Sequence, residues 1–100
     1  MALVKVATRA ELPAGAALLV EAGGKQIALF NAGGAFYAID NTCKHRGGPL
    51  AEGDVDGTTV TCPWHGWEYD ITTGANLDDP NVKLGCYPVK LDGDDIFIDA

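Results

Sequence analysis

Turn-forming pairs punctuate this chain at Gly23-Gly24, Gly33-Gly34, Asp56-Gly57, Thr73-Gly74 and Asp92-Gly93. Such pairs reach the positive-φ conformations that tight hairpins need, so each one folds the chain back on itself. Between them lie short β-type runs at Leu3–Ala7, Ala17–Glu21, Gln26–Asn31, Ala35–Asp40, Thr58–Cys62, Glu68–Ile71, Cys86–Leu91 and Asp95–Asp99. No segment sustains a 3.6-residue apolar period, so long helices are not expected, and Thr8–Pro13 has room for one helical turn. Many short strands joined by tight turns predict an antiparallel all-β sandwich or small barrel, as a single domain over residues 1–100. Two stretches, Asn41–Asp54 and Pro63–Trp67, do not read as strands. They hold both histidines, both tryptophans and two of the three cysteines.

A chain of 100 residues buries a modest core, so a metal or other cross-link would add usefully to its stability. Three cysteines are an odd number, and Lys5, Arg9 and Glu11 interrupt any apolar leader near the start. A disulfide framework is therefore not expected, and a metal or catalytic role is. The longest uncharged run, Gln26–Ile39, is broken by Gly33-Gly34 and is too short to span a bilayer. A cytoplasmic location is the expectation. With 14 acidic and 7 basic residues the net charge is −7, which disfavours nucleic acid and anionic membranes as partners and favours a protein with a positive surface. The acidic turns at Asp54/Asp56, Asp78-Asp79 and Asp92/Asp94/Asp95 lack the ligand periodicity and closing Glu of a calcium loop and read as solvated hairpin ends.

Cys43-Lys44-His45 is followed, sixteen residues on, by Cys62-Pro63-Trp64-His65. Each half offers one thiolate and one imidazole on a loop flanked by predicted strands, and the Asp56-Gly57 turn returns the chain between them. Four N/S donors converging on one point suit zinc or an iron–sulfur cluster. Zinc fingers pair Cys with Cys and His with His, whereas each loop here carries one of each. That mixture fits a [2Fe–2S] centre of the type in which one iron takes two Cys and the other two His.

Cys-x-His-x₁₆-Cys-x₂-His, set within Cys43-Lys44-His45-Arg46-Gly47-Gly48-Pro49-Leu50 and Cys62-Pro63-Trp64-His65-Gly66-Trp67, resembles the Rieske-type ferredoxins. The resemblance implies a Rieske β-sandwich with a cluster-binding subdomain of two loops, about 41–54 and 62–69, at one end. It implies that Cys43 and Cys62 ligate the inner iron, and that His45 and His65 ligate the outer, more exposed one. Gly47, Gly48 and Gly66 would let backbone amides approach the cluster, Pro49 and Pro63 would stiffen the loops, and Trp64 and Trp67 would shield it or serve as core aromatics. Tyr69 occupies the position whose hydroxyl, in some relatives, reaches a ligand sulfur. High-potential, quinol-oxidising members carry a bridging Cys in each loop and a Ser beside the cluster; here those positions are Gly48, Trp64 and Trp67. Fewer donors to sulfur imply a potential at the low end of the Rieske range of about −150 to +300 mV.

Function follows by elimination. An oxygenase needs a second, mononuclear iron site, and both histidines are already committed. A reductase needs a nucleotide fingerprint, and no G-x-G-x-x-G follows a strand. The expectation is a one-electron carrier, not itself an enzyme, that passes electrons from an NAD(P)H-dependent flavin reductase to a terminal aromatic-ring oxygenase. Lys44 and Arg46 give its tip local positive charge for docking. A Rieske small subunit of another redox enzyme, such as nitrite reductase, and a structural zinc module are the competing readings, with redox sensing behind them. Cys86, with no histidine in sequence reach, is expected to be a buried small apolar residue, with a redox or catalytic thiol as the second reading.

Overall fold

The computed structural model describes residues 3–43, 47–64 and 66–100. Among the described residues, ten strands build three antiparallel sheets: β1 (Leu3–Thr8), β10 (Asp95–Asp99) and β9 (Val89–Asp92) in one; β2 (Ala17–Ala22), β3 (Lys25–Ala32), β4 (Ala35–Asp40) and β8 (Cys86–Tyr87) in the second; and β5 (Asp54–Asp56), β6 (Thr59–Thr61) and β7 (Glu68–Asp70) in the third. The β2–β3 and β3–β4 ladders close through Ala22↔Lys25 and Ala32↔Ala35. That leaves two-residue turns whose glycines all have positive φ, from 59° at Gly23 to 99° at Gly34. Arg9–Glu11 forms a single 3-10 turn, capped reciprocally by Thr8 and Glu11.

The apolar run Ile27-Ala28-Leu29-Phe30 is wholly buried, which marks β3 as a strand covered on both faces. Ile27 and Leu29 pack with Ala7, Val20, Ile96 and Ile98 toward the β1–β10–β9 sheet. Ala28 and Phe30 pack on the other face with Leu50, Val60, Tyr69 and Ile71. β4 repeats the division through Ala38 and Ile39. The four-stranded sheet is thus a central layer, and the β5–β6–β7 sheet with both cysteine loops lies on one side of it.

Three local expectations are corrected. The run Cys86–Leu91 is not one strand: Pro88, which has no N–H to give a ladder, divides it into β8 and β9, and these join different sheets. The stretch Asn41–Asp54 is more regular than expected, with a Thr42↔Pro49 bridge, a 3-10 turn over Leu50–Glu52, and β5 beginning at Asp54. Cys86 is exposed, not buried, because β8 is two residues long and lies at the open edge of its sheet, where no further strand covers it. Its Sγ sits 3.5 Å from the Thr72 carbonyl.

At the β4–β8 junction the Asp40 carboxylate accepts from Tyr87 Oη at 2.5 Å and from the Gly85 amide at 2.8 Å. Burial first, and the Asp40 hydrogen bond second, push the Tyr87 phenol up to about 12. Between its ordinary value near 10 and that figure, the folded protein keeps a proton that the unfolded chain has lost. Stability from this group is therefore complete below about pH 10 and is lost as pH rises toward 12. In urea titrations across that window, Tyr87→Phe should flatten the fall in midpoint.

Gly53 follows the 3-10 turn in ordinary extended backbone (φ −79°), so its requirement is steric: a Cβ there would run into the Thr61 carbonyl of β6. Gly53→Ala should cost about 1–3 kcal/mol by overpacking, read as a lowered denaturation midpoint with unchanged m-value.

Candidate metal centre

Two hairpin loops carry the chemistry, and both close in the same way. Cys43 donates its N–H to the Gly48 carbonyl at 2.9 Å, and Cys62 donates its N–H to the Trp67 carbonyl at 2.7 Å, in each case five residues downstream. The first loop tightens further as the Gly47 amide bonds the Cys43 carbonyl at 2.8 Å, with Gly47 at φ 74°. Its base is fixed by Asn41, which is buried. The Asn41 carbonyl accepts from Leu50 N–H at 2.8 Å and its side-chain Oδ1 from Ala51 N–H at 2.9 Å. The second loop hangs from the β6–β7 ladder, closing beyond Thr61↔Glu68.

These loops bring Cys43 and Cys62 together, at 1% and 2% exposure, in one apolar cluster with Leu50, Val60, Tyr69 and Leu84. Burial pushes the Cys62 thiol up, the Trp64 N–H bond opposes this, and the adjoining Cys43 thiol adds to the rise. A soft metal bound to both sulfurs would reverse that balance at Cys62 by favouring the thiolate. Donors are already aimed at the sulfurs: Trp64 N–H lies 3.4 Å from Cys62 Sγ, and Tyr69 Oη lies 3.4 Å from Cys43 Sγ. Against a thiolate the tyrosine hydroxyl is the donor.

Gly48 is buried, and a Cβ on it would stand 2.6 Å from Cys62 Sγ and 3.2 Å from Trp64 Cβ. Positions 48 and 64 therefore face each other across the loops, and any side chain at 48 would displace the sulfur. Trp64 is 50% exposed and Trp67 is half-buried against the apolar cluster, so the two tryptophans are not equivalent. Pro63 and Gly66 are exposed at the tip, with Gly66 at φ 75°. Lys44, His45, Arg46 and His65 lie outside the described residues. Sequence reading assigned no role to Asn41, Asp40, Gly85 or Tyr87. Their part in holding the loops depends on contacts across 10 to 47 residues of chain, which leave no local signal.

Comparison with known proteins identifies the family. Residues 2–88 match the family model described as the Rieske [2Fe-2S] domain. The chain is 38% identical over 92 residues to the ferredoxin component of a naphthalene 1,2-dioxygenase system from Pseudomonas aeruginosa, covering 89% of this chain and 86% of that one. It is 44% identical over 92 residues to the 3-phenylpropionate/cinnamic acid dioxygenase ferredoxin subunit of Shigella flexneri serotype 5b (strain 8401), covering 90% and 86%. Among solved structures, a chain from a complex of reduced oxygenase and oxidised ferredoxin in carbazole 1,9a-dioxygenase superposes with a TM-score of 0.87 at 30% identity, over 96% of this chain and 91% of that one.

Removing the Tyr69 hydroxyl deletes a donor to sulfur that strengthens as negative charge accumulates. Tyr69→Phe should lower the reduction potential by about 20–65 mV, the one-electron equivalent of about 0.5–1.5 kcal/mol for one hydrogen bond. Film voltammetry of the two proteins measures it.

Proposed function

Because the chain belongs to the Rieske [2Fe-2S] domain family, we propose that it is the one-electron carrier of a ring-hydroxylating dioxygenase system, taking electrons from an NAD(P)H-dependent flavin reductase and delivering them to a terminal oxygenase. The observation that carries this reading is the pair of buried, adjoining thiols, Cys43 and Cys62, with an amide and a hydroxyl aimed at their sulfurs. Cys43 and Cys62 would hold one iron of the cluster, and His45 and His65 the other. When bound, the cluster supplies a reversible one-electron couple. The chain's own residues keep water from the sulfurs through Leu50, Val60 and Leu84, and orient donors through Trp64 and Tyr69.

The nature of the named relatives supports the place in the system. Two are ferredoxin parts of dioxygenase systems, and the structural neighbour comes from a complex with its oxygenase. No helix among the described residues is long and apolar enough to cross a membrane. Lys44 and Arg46, on either side of His45, would give the exposed end positive charge on a chain of net charge −7 and so orient docking. The carrier role is a non-enzymatic one, with the chemistry on the organic substrate done by the oxygenase.

Purified protein should be red-brown and give a reversible one-electron wave at the low end of the Rieske range. It should also restore turnover when added to a reductase and oxygenase that lack their ferredoxin. A colourless, metal-loaded protein overturns electron transfer in favour of a zinc module. A red-brown protein that stays bound to another redox enzyme through gel filtration favours the small-subunit reading.

A further inference from the structure

The two cysteine loops hang from different sheets, the first from β4 and the second from β6 and β7, and no ladder joins those sheets among the described strands. Residues 82–87 span the gap. At one end the Val82 carbonyl accepts from Asn76 N–H at 2.8 Å, Lys83 bridges Ala75, and Leu84 donates its N–H to the Gly74 carbonyl at 2.8 Å. Asn76 in turn bridges Tyr69, the residue whose hydroxyl meets Cys43. At the other end Gly85 exchanges two bonds with Asp40, its carbonyl accepting from Asp40 N–H at 2.9 Å and its N–H donating to Oδ2 at 2.8 Å. Tyr87 Oη adds the bond to Oδ1 at 2.5 Å, and Ile39 pairs with Cys86. Asp40 lies three residues before Cys43.

The crossing is close at both ends. A Cβ at Gly85 would stand 2.8 Å from both Asp40 Oδ2 and Tyr87 Oη, and a Cβ at Gly74 would run into the Leu84 carbonyl. Between the ends, Leu84 is 3% exposed and packs in the same apolar cluster as Cys43, Cys62 and Tyr69.

We propose that residues 82–87 are a strap that sets the spacing of the two loops, with the Asp40–Tyr87 hydrogen bond as its latch, so that Asp40 and Tyr87 are positioning residues for the Tyr69–Cys43 contact. The inference rests on the cluster being held by these loops. Its mechanical part stands without that premise. Opening the latch removes one of the three bonds that tie Asp40 to residues 85–87, which loosens the strand entering the first loop against the segment that holds the second, and the hydroxyl of Tyr69 is then held less firmly at its distance from the sulfur.

A double-mutant cycle on the reduction potential tests the electronic part. Tyr87→Phe should lower the potential by less than Tyr69→Phe does, and should cause no further shift in a Tyr69→Phe background, where there is no contact left to loosen. An unchanged potential in Tyr87→Phe, or full additivity of the two shifts, overturns the proposal. Amide exchange read by mass spectrometry tests the mechanical part with no need of the cluster. Tyr87→Phe, and independently Asp40→Asn, should speed exchange in both 41–50 and 68–77. Acceleration confined to 84–88 makes the hydrogen bond a local contact and overturns the strap. Protein that lacks the two-iron spectrum overturns the carrier reading instead, and leaves the exchange result to decide the strap.

Discussion

Bringing two thiol sulfurs into contact inside an apolar cluster is the constraint on which the rest of this structure depends. Cys43 and Cys62 are almost fully buried, and burial beside Cys43 pushes the Cys62 thiol up, so the surrounding backbone must hold the pair in place and also offer it hydrogen-bond donors. The closure of both loops through the cysteine N–H fixes each sulfur to its own hairpin. Gly48 removes the one side chain that would separate the hairpins, and Trp64 fills the space above it.

The central sheet carries this constraint into the body of the molecule. β3 and β4 are buried on both faces, so one side anchors them to the β1–β10–β9 sheet and the other supports the apolar cluster beneath the cysteines. A first loop extending from such a strand inherits its rigidity, and Asn41 continues the anchoring by bonding the far side of the loop. For a carrier, rigidity is functional: the less the surroundings move when charge arrives, the smaller the barrier to passing it on. Trp64, half-exposed beside the buried sulfurs, lies at the boundary between that rigid interior and the surface a partner would meet.

Much of this was legible in the chain because it is local. Paired glycines at 23–24 and 33–34 and the Asp56-Gly57 signal specify where the chain reverses, and the observed ladders close at those points. The pairing of a cysteine with a histidine in each of two loops pointed to the family that the comparison then identified. What failed to be legible was burial at an edge. Cys86 sits in an apolar run like those of the core strands, yet the strand it belongs to is cut short by Pro88 and has a neighbour on one side only.

The sequence by itself determined the donor types, their spacing, the turns and the all-β character. Each of these depends on the conformational preferences of a few consecutive residues and on the chemistry of their side chains. Only the tertiary structure decided which sheet each strand joined, which faces of β3 and β4 were covered, that Cys43 is the sulfur Tyr69 meets, and that Asp40 meets Tyr87 across 47 residues. Those outcomes come from packing and pairing between segments far apart in the chain. No short window of residues encodes which distant segment will cover it.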